Sequence, residues 1–156
     1  MKDFIKVKGA FRLQIAEDGK IVGDSGWNEN QVTNLGFNQY IVLSLGSLAG
    51  SKYITHAALG TGGAPAATAT ALAGESEVDK RQAITAASSS GSKTLRLTAT
   101  FNSSNSFVSA SKNISNVGLF NTSAQTTGTM LAGNTYASSS VATNQNVNLT
   151  YDLIFA

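Results

Sequence analysis

A chain of 156 residues with 42% hydrophobic content is long enough for one domain with a real core and too apolar to be a disordered tail. Charge is scarce: eleven Lys and Arg against nine Asp and Glu leave a net +2 scattered along the chain, which argues against nucleic acid as a partner, and the absence of cysteine excludes disulfides and thiolate metal or redox sites. No stretch is apolar for long enough to cross a bilayer as a helix, and Met1-Lys2-Asp3-Phe4-Ile5-Lys6 lacks the apolar run of a signal peptide, so synthesis in a cytoplasm with no membrane partner is expected.

The polar remainder is mostly Ser, Thr, Asn and Gly, residues that favour turns and strands over helices. Phe11, Leu13 and Ile15 alternate with Arg12 and Gln14, the period of a strand with one buried face. Glu17-Asp18-Gly19-Lys20 is a turn and Ile21-Val22 begin the return, so 4–31 reads as a hairpin. Trp27, on its far arm amid Gly26, Asn28 and Glu29, reads as a half-buried packing residue, with ligand stacking as the alternative.

A helix is predicted over about 34–45. Thr33 or Asn34 caps it, Phe37, Tyr40, Ile41 and Leu45 recur at helical spacing, and Gly46 ends it. Gly36 costs about 1 kcal/mol relative to Ala, so tertiary packing has to hold this helix. Residues 53–59 form a short apolar strand running into Gly60-Thr61-Gly62-Gly63-Ala64-Pro65. The loop 60–74 has no period and reads as an arm toward a neighbouring subunit.

Residues 83–86 are predicted to pair with the strand 94–101, where Leu95, Leu97, Ala99 and Phe101 face inward, across the flexible connection 88–92. Strands at 114–120 and 129–132 flank the loop 121–128. In the last strand Val147, Leu149, Tyr151, Leu153 and Phe155 share one face, and the apolar end at Phe155-Ala156 suggests that this strand is locked inside a sheet. The expected fold is all-β: an antiparallel β-sandwich or partly open barrel with one short helix, forming a single domain over 1–156 whose remaining strands occupy 53–156.

Little in the chain is suited to catalysis. His56 is the sole histidine, and a hydrogen-bonded role at a sheet surface or subunit contact is preferred to a catalytic one. Glu75-Ser76-Glu77-Val78-Asp79 is the sole acidic cluster. It does not match an EF-hand loop and reads as the solvated, charged approach to a strand. Gly60-Thr61-Gly62-Gly63 is followed by Ala64-Pro65 in place of Lys-Ser/Thr and a helix, so it is read as a tight turn after a strand and not as a phosphate loop. Sequons at Asn102, Asn113, Asn121 and Asn148 are accidents of a Ser/Thr/Asn-rich chain. No catalytic, cofactor or metal residues are assigned.

In order, the chain presents Asn30-Gln31-Val32-Thr33-Asn34-Leu35-Gly36 before the helix, Ala58-Leu59-Gly60-Thr61-Gly62 with Pro65, Leu72-Ala73-Gly74-Glu75 and Arg81, Asn116-Val117-Gly118-Leu119-Phe120-Asn121, and Gly128-Thr129-Met130-Leu131-Ala132. That order resembles a group of tailed-bacteriophage virion structural proteins, and it covers most of the chain. Two departures stand out: Asn116 occupies a position where the pattern often has an acid, and Arg81 follows an unusually acidic stretch.

The resemblance implies a non-enzymatic virion component, made in a bacterial cytoplasm. The first reading is a capsid decoration (cement) protein that binds the major capsid protein and bridges capsomers, as a homo-oligomer and specifically a trimer. The alternative is a tail-fibre or baseplate module among tail proteins, contacting a host glycan. A small carbohydrate-active enzyme or lectin would rest on the β fold and Trp27 alone. The expected subunit or capsid contacts are Phe4, Ile5 and Lys6 near the N-terminus and Thr61, Gly62, Gly63 and Pro65 in the loop, because an extended segment can add a strand to a neighbour's sheet edge.

Overall fold

The computed structural model describes residues 6–156; Phe4 and Ile5 lie outside the described residues. β1 (Val7–Glu17) buries Phe11, Leu13 and Ile15 on one face, as its alternation requires. Asp18 and Gly19 then take positive φ values of 48° and 76°. Two successive positive φ values make a primed turn, whose twist suits a hairpin. The chain returns along the same edge of β1 in two pieces, β2 (Lys20–Asp24) and β3 (Asn28–Val32). The second piece turns a corner: Asn28, Glu29 and Asn30 lie opposite Phe11, Ala10 and Gly9, whereas Gln31 and Val32 pair with Gly133 and Ala132.

The helix α1 occupies 34–45, and its centre, Gly36–Val42, is wound as a π-helix. Thr33 is the cap, its Oγ1 accepting from the Gly36 N–H at 2.9 Å. Its own N–H donates to the Leu131 carbonyl at 2.9 Å, tying the helix to the sheet. Glycine is required at 36 because a Cβ there would occupy the space of that same carbonyl.

The remaining strands are β4 (His56–Gly60), β5 (Gln82–Ala83), β6 (Thr85–Ala87), β7 (Thr94–Phe101), β8 (Lys112–Phe120), β9 (Met130–Val141) and β10 (Asn146–Phe155). Pairing is antiparallel between all of them, in the order β5-β4-β8-β9-β3-β1-β10-β7-β6, with β2 also on β1. The ends of this order are neighbours in sequence. Gln82 and Ala83 pair with β4, and Thr85 to Ala87 pair with β7, so the run 82–87 nearly closes the sheet into a barrel. Strands that change sheets at β3 and at 82–87 form the two corners of a flattened barrel. The described fold is therefore all-β and antiparallel, a nearly closed barrel with one short helix.

The core lies between the two faces of the barrel and includes Phe11, Leu97, Phe101, Phe107, Ile114, Leu119, Leu149 and Tyr151. A smaller cluster of Ala58, Leu72, Phe120 and Met130 sits under the loop 60–74. β9 is longer than its sequence predicts, running past Ala132 to Val141. Ser138, Ser139 and Ser140 show no alternation; they are held as strand by their register with β8, where Lys112, Asn113 and Ile114 lie opposite Val141, Ser140 and Ser139.

Candidate functional site

The acidic run is a solvated approach to a strand only in part: Val78 and Asp79 are exposed, but the Glu75 carboxylate is shut away from water, and this is the largest correction to the sequence reading. Glu75 is buried, paired with the guanidinium of Arg81, their side chains 3% and 1% exposed. Arg81 Nε and Nη2 donate to the two carboxylate oxygens at 3.2 and 2.6 Å. Nη1 donates to the carbonyls of Thr122 and Thr127, and Nη2 also donates to that of Gln125. A guanidinium carries five N–H donors in a fixed fork, and here each has an acceptor. Its central carbon, Cζ, lies over the Phe120 ring, 3.5 Å from the ring centre. The group thus fastens the loop 121–128 onto the barrel.

The two other carboxylates of the run go elsewhere. Glu77 pairs with Lys112 and accepts from Ser109, and these partners, Lys112 first, hold its carboxyl at about 2, below the ordinary 4.5. Asp79, at a positive φ of 53°, accepts from the Gln125 N–H at 2.9 Å. The turns between the three carboxylates send each to its own partner. Among the described residues no group of three or more His, Cys, Asp or Glu is placed to hold a metal ion.

The loop 60–74 is not an extended arm. The Thr61 N–H donates to the Gly74 carbonyl at 2.8 Å, closing the loop at its neck. Asn116, fully buried on β8, donates through Nδ2 to the carbonyls of Gly63 and Ala73 at 3.2 and 2.9 Å. Ser115 Oγ donates to the Gly62 carbonyl, and the Asn34 N–H donates to that of Ala67. A Cβ at Gly62 would run into the Ala73 backbone, so the glycine pattern serves close docking of the loop. Pro65 approaches Gly133 and Leu72 is buried below, while Thr61 and Gly63 remain exposed on the outer side. This is a compact loop with a fixed outer surface. An acid at 116 could not donate to two carbonyls, which gives a physical reason for asparagine there.

Of the N-terminal candidates, Lys6 is exposed, and its backbone pairs in both directions with Ala156, at 2.7 and 2.8 Å. His56 begins β4 and is part-buried, its Nδ1 2.9 Å from Thr55 Oγ1; burial, then the nearby Arg81 charge, lowers its pKa and keeps the ring neutral at pH 7. Trp27 is 49% exposed, with the guanidinium of Arg96 6.0 Å from its ring centre. Arg96 is itself held by Asp152 at 2.8 and 2.7 Å. Beside that pair lies an open, hydroxyl-rich hollow of about 390 Å³ lined by Ser88, Ser89, Ser92 and Thr94.

A surface that the sequence reading did not single out is the outer side of α1 and the turn after it. Phe37, Val42, Leu45, Leu48 and Tyr53 are exposed, Leu45 at 81% and Tyr53 at 71%. The available signal was the absence of any Asp, Glu, Lys or Arg between Glu29 and Lys52. An apolar crevice of about 180 Å³ opens beside it, between α1, Tyr53 and Ile54 and the ends of β7 and β10. No described helix is long and apolar enough to cross a membrane. No family model, no curated protein and no solved structure matches this chain.

Proposed function

We propose that the chain is a non-enzymatic structural component of a tailed-bacteriophage virion, a capsid decoration protein that binds the major capsid protein and stabilises the shell by bridging capsomers. The observation that carries this reading is how the clustered ionisable groups are used. Glu75, Glu77, Asp79, Arg81 and Lys112 each fasten a loop or turn to the barrel. Catalysis needs titratable groups gathered around one space with their hydrogen-bonding capacity free for a substrate. Here that capacity goes into stiffening, which suits a part that carries load. The order of sequence phrases from Asn30 to Ala132 supplies the link to phage structural proteins.

The docked loop 60–74 offers a contact surface of a specific kind. Its outer residues Thr61, Gly63, Ala64 and Thr68 are exposed and uncharged, on a backbone already fixed by Asn116 and Ser115. A preformed loop loses little conformational freedom on binding, so modest contacts repeated over a symmetric lattice add to strong retention.

The test is to add purified protein to capsids that lack it and to follow binding stoichiometry and the temperature of shell rupture. Saturable binding at a fixed number of copies per capsomer, with a raised rupture temperature, is expected. Absence of binding to the shell, with labelling confined to the tail tip, would contradict it.

A further inference from the structure

The hollow beside Arg96 and Asp152 is built by strand register. Arg96 on β7 lies opposite Ala87 on one side and Asp152 on the other, in a row that faces away from the core because the next residues along, Leu97 and Tyr151, are buried in it. Ala87 is too small to fill the space beside the ion pair, and the turn 88–92 walls it. That turn is already fixed: the Ser92 N–H donates to the Ser89 carbonyl at 2.9 Å, the Thr94 N–H to Ser92 Oγ at 3.0 Å, and Ser88 Oγ to the Thr94 carbonyl at 3.0 Å. Two of the five N–H donors of Arg96 are spent on Asp152, and the others meet no acceptor among the described residues. Half-exposed Trp27 adjoins the hollow through Arg96, whose Cζ lies 6.0 Å from the Trp27 ring centre.

We propose that this hollow, with Trp27 at its edge, binds one unit of a neutral saccharide. A sugar ring carries several hydroxyls, each both donor and acceptor, and an apolar C–H face. Arg96 supplies free donors, the Asp152 carboxylate an acceptor, Ser89 and Thr94 hydroxyls that do both, and Trp27 an exposed aromatic face for the C–H side. The lining holds no apolar side chain larger than that of Ala87, which disfavours a hydrophobic ligand. The Arg96 charge is balanced by Asp152, so a phosphate or carboxylate would meet a like charge beside the cation. The volume of about 390 Å³ is at the lower end of the small-molecule range, suited to a single unit. Asp152 is the one carboxylate in the lining, whereas glycoside hydrolysis ordinarily takes two, so the sugar is held and not cleaved.

The inference goes beyond the virion reading and does not depend on it: a chain that joins shells and binds no sugar removes this proposal alone, and one that binds sugar without joining shells leaves it standing. Trp27 is the sole tryptophan, so its emission reports occupancy directly. The purified full chain is titrated with glucose, galactose, mannose, rhamnose and N-acetylglucosamine, and with N-acetylneuraminic acid and inorganic phosphate as anions. At least one neutral sugar is expected to change the emission saturably, and the anions are not. Where a sugar responds, retardation in native gels holding dextran or mannan assigns a chain-borne unit as its source and unretarded migration a free sugar, and either supports the proposal.

Arg96→Ala should weaken that binding about tenfold or more. Because this change leaves Asp152 unpaired, Ser89→Phe provides a second test: it fills the hollow from an exposed turn and should abolish binding with unchanged far-UV circular dichroism. Ser138→Phe, on β9 away from the hollow, should leave binding intact. No response to any neutral sugar, a stronger response to the anions, or binding that survives Ser89→Phe overturns the proposal.

Discussion

Removing the Arg81 side chain would leave the Glu75 carboxylate in a site that water does not reach, and three loop carbonyls without donors. Breaking one side of such a pair costs about 3–5 kcal/mol, so Arg81→Ala should lower the urea-unfolding free energy by that much, and Arg81→Lys should recover only part because an ammonium cannot fill the fork. Arg81→Met combined with Glu75→Leu should cost much less than the Arg81 change alone, which a double-mutant cycle would measure. Glu77 gives a pH signature. Its carboxyl is held at about 2 by Lys112 and Ser109, below the unfolded value near 4.5. A depressed carboxyl contributes stability above its unfolded pKa and loses it as pH falls toward the folded one. Stability should therefore decline between about pH 4.5 and pH 2, and Glu77→Gln should flatten that decline in acid-titrated melts, leaving the similar contribution of Asp24, lowered chiefly by Arg12.

At the scale of elements, Gly36 sets two effects against each other. Alanine is the better helix former by about 1 kcal/mol, yet its Cβ would meet a backbone carbonyl of β9, which cannot move aside as a side chain can. The clash wins, and Gly36→Ala should destabilise by about 1–3 kcal/mol in chemical denaturation. Asn116→Asp should release the loop 60–74, since a carboxylate would face the carbonyls of Gly63 and Ala73, and hydrogen exchange in that loop should rise with little change in the barrel. Strands β7 and β10 were legible in the sequence because one face of each is buried, and the helix because Thr33 and Gly46 mark its ends, whereas its apolar spacing did not mark a buried face: Tyr40 is buried but Phe37 and Leu45 are exposed. The docking of 60–74 was not legible, because its anchor lies on β8, far along the chain. Arg81 and Glu75 were both visible, but burial of the pair depends on Phe120 and the loop 121–128, which local pattern cannot bring together. Phe4 and Ile5 lie outside the described residues, and Lys6, Thr61, Gly62, Gly63 and Pro65 fall into two separate places, the Ala156 end of the sheet and the docked loop.

For the whole molecule, the first and last strands are partners: Val7 lies opposite Phe155 and Ile15 opposite Val147. Pairing the two ends of the chain makes contact order high, so folding is expected on the millisecond-to-second scale, roughly, in stopped-flow refolding. A chain ending before Asn146 would lose β10 from between β1 and β7 and should show no cooperative unfolding transition. The central claim is that this stiff barrel is a permanent part of a particle, and the most direct test is absolute quantification of the protein in gradient-purified virions by isotope-dilution mass spectrometry. The account predicts a constant copy number in fixed proportion to the major capsid protein across preparations. Particles that contain none of it, with the protein recovered only from the soluble fraction of infected cells, would contradict the account.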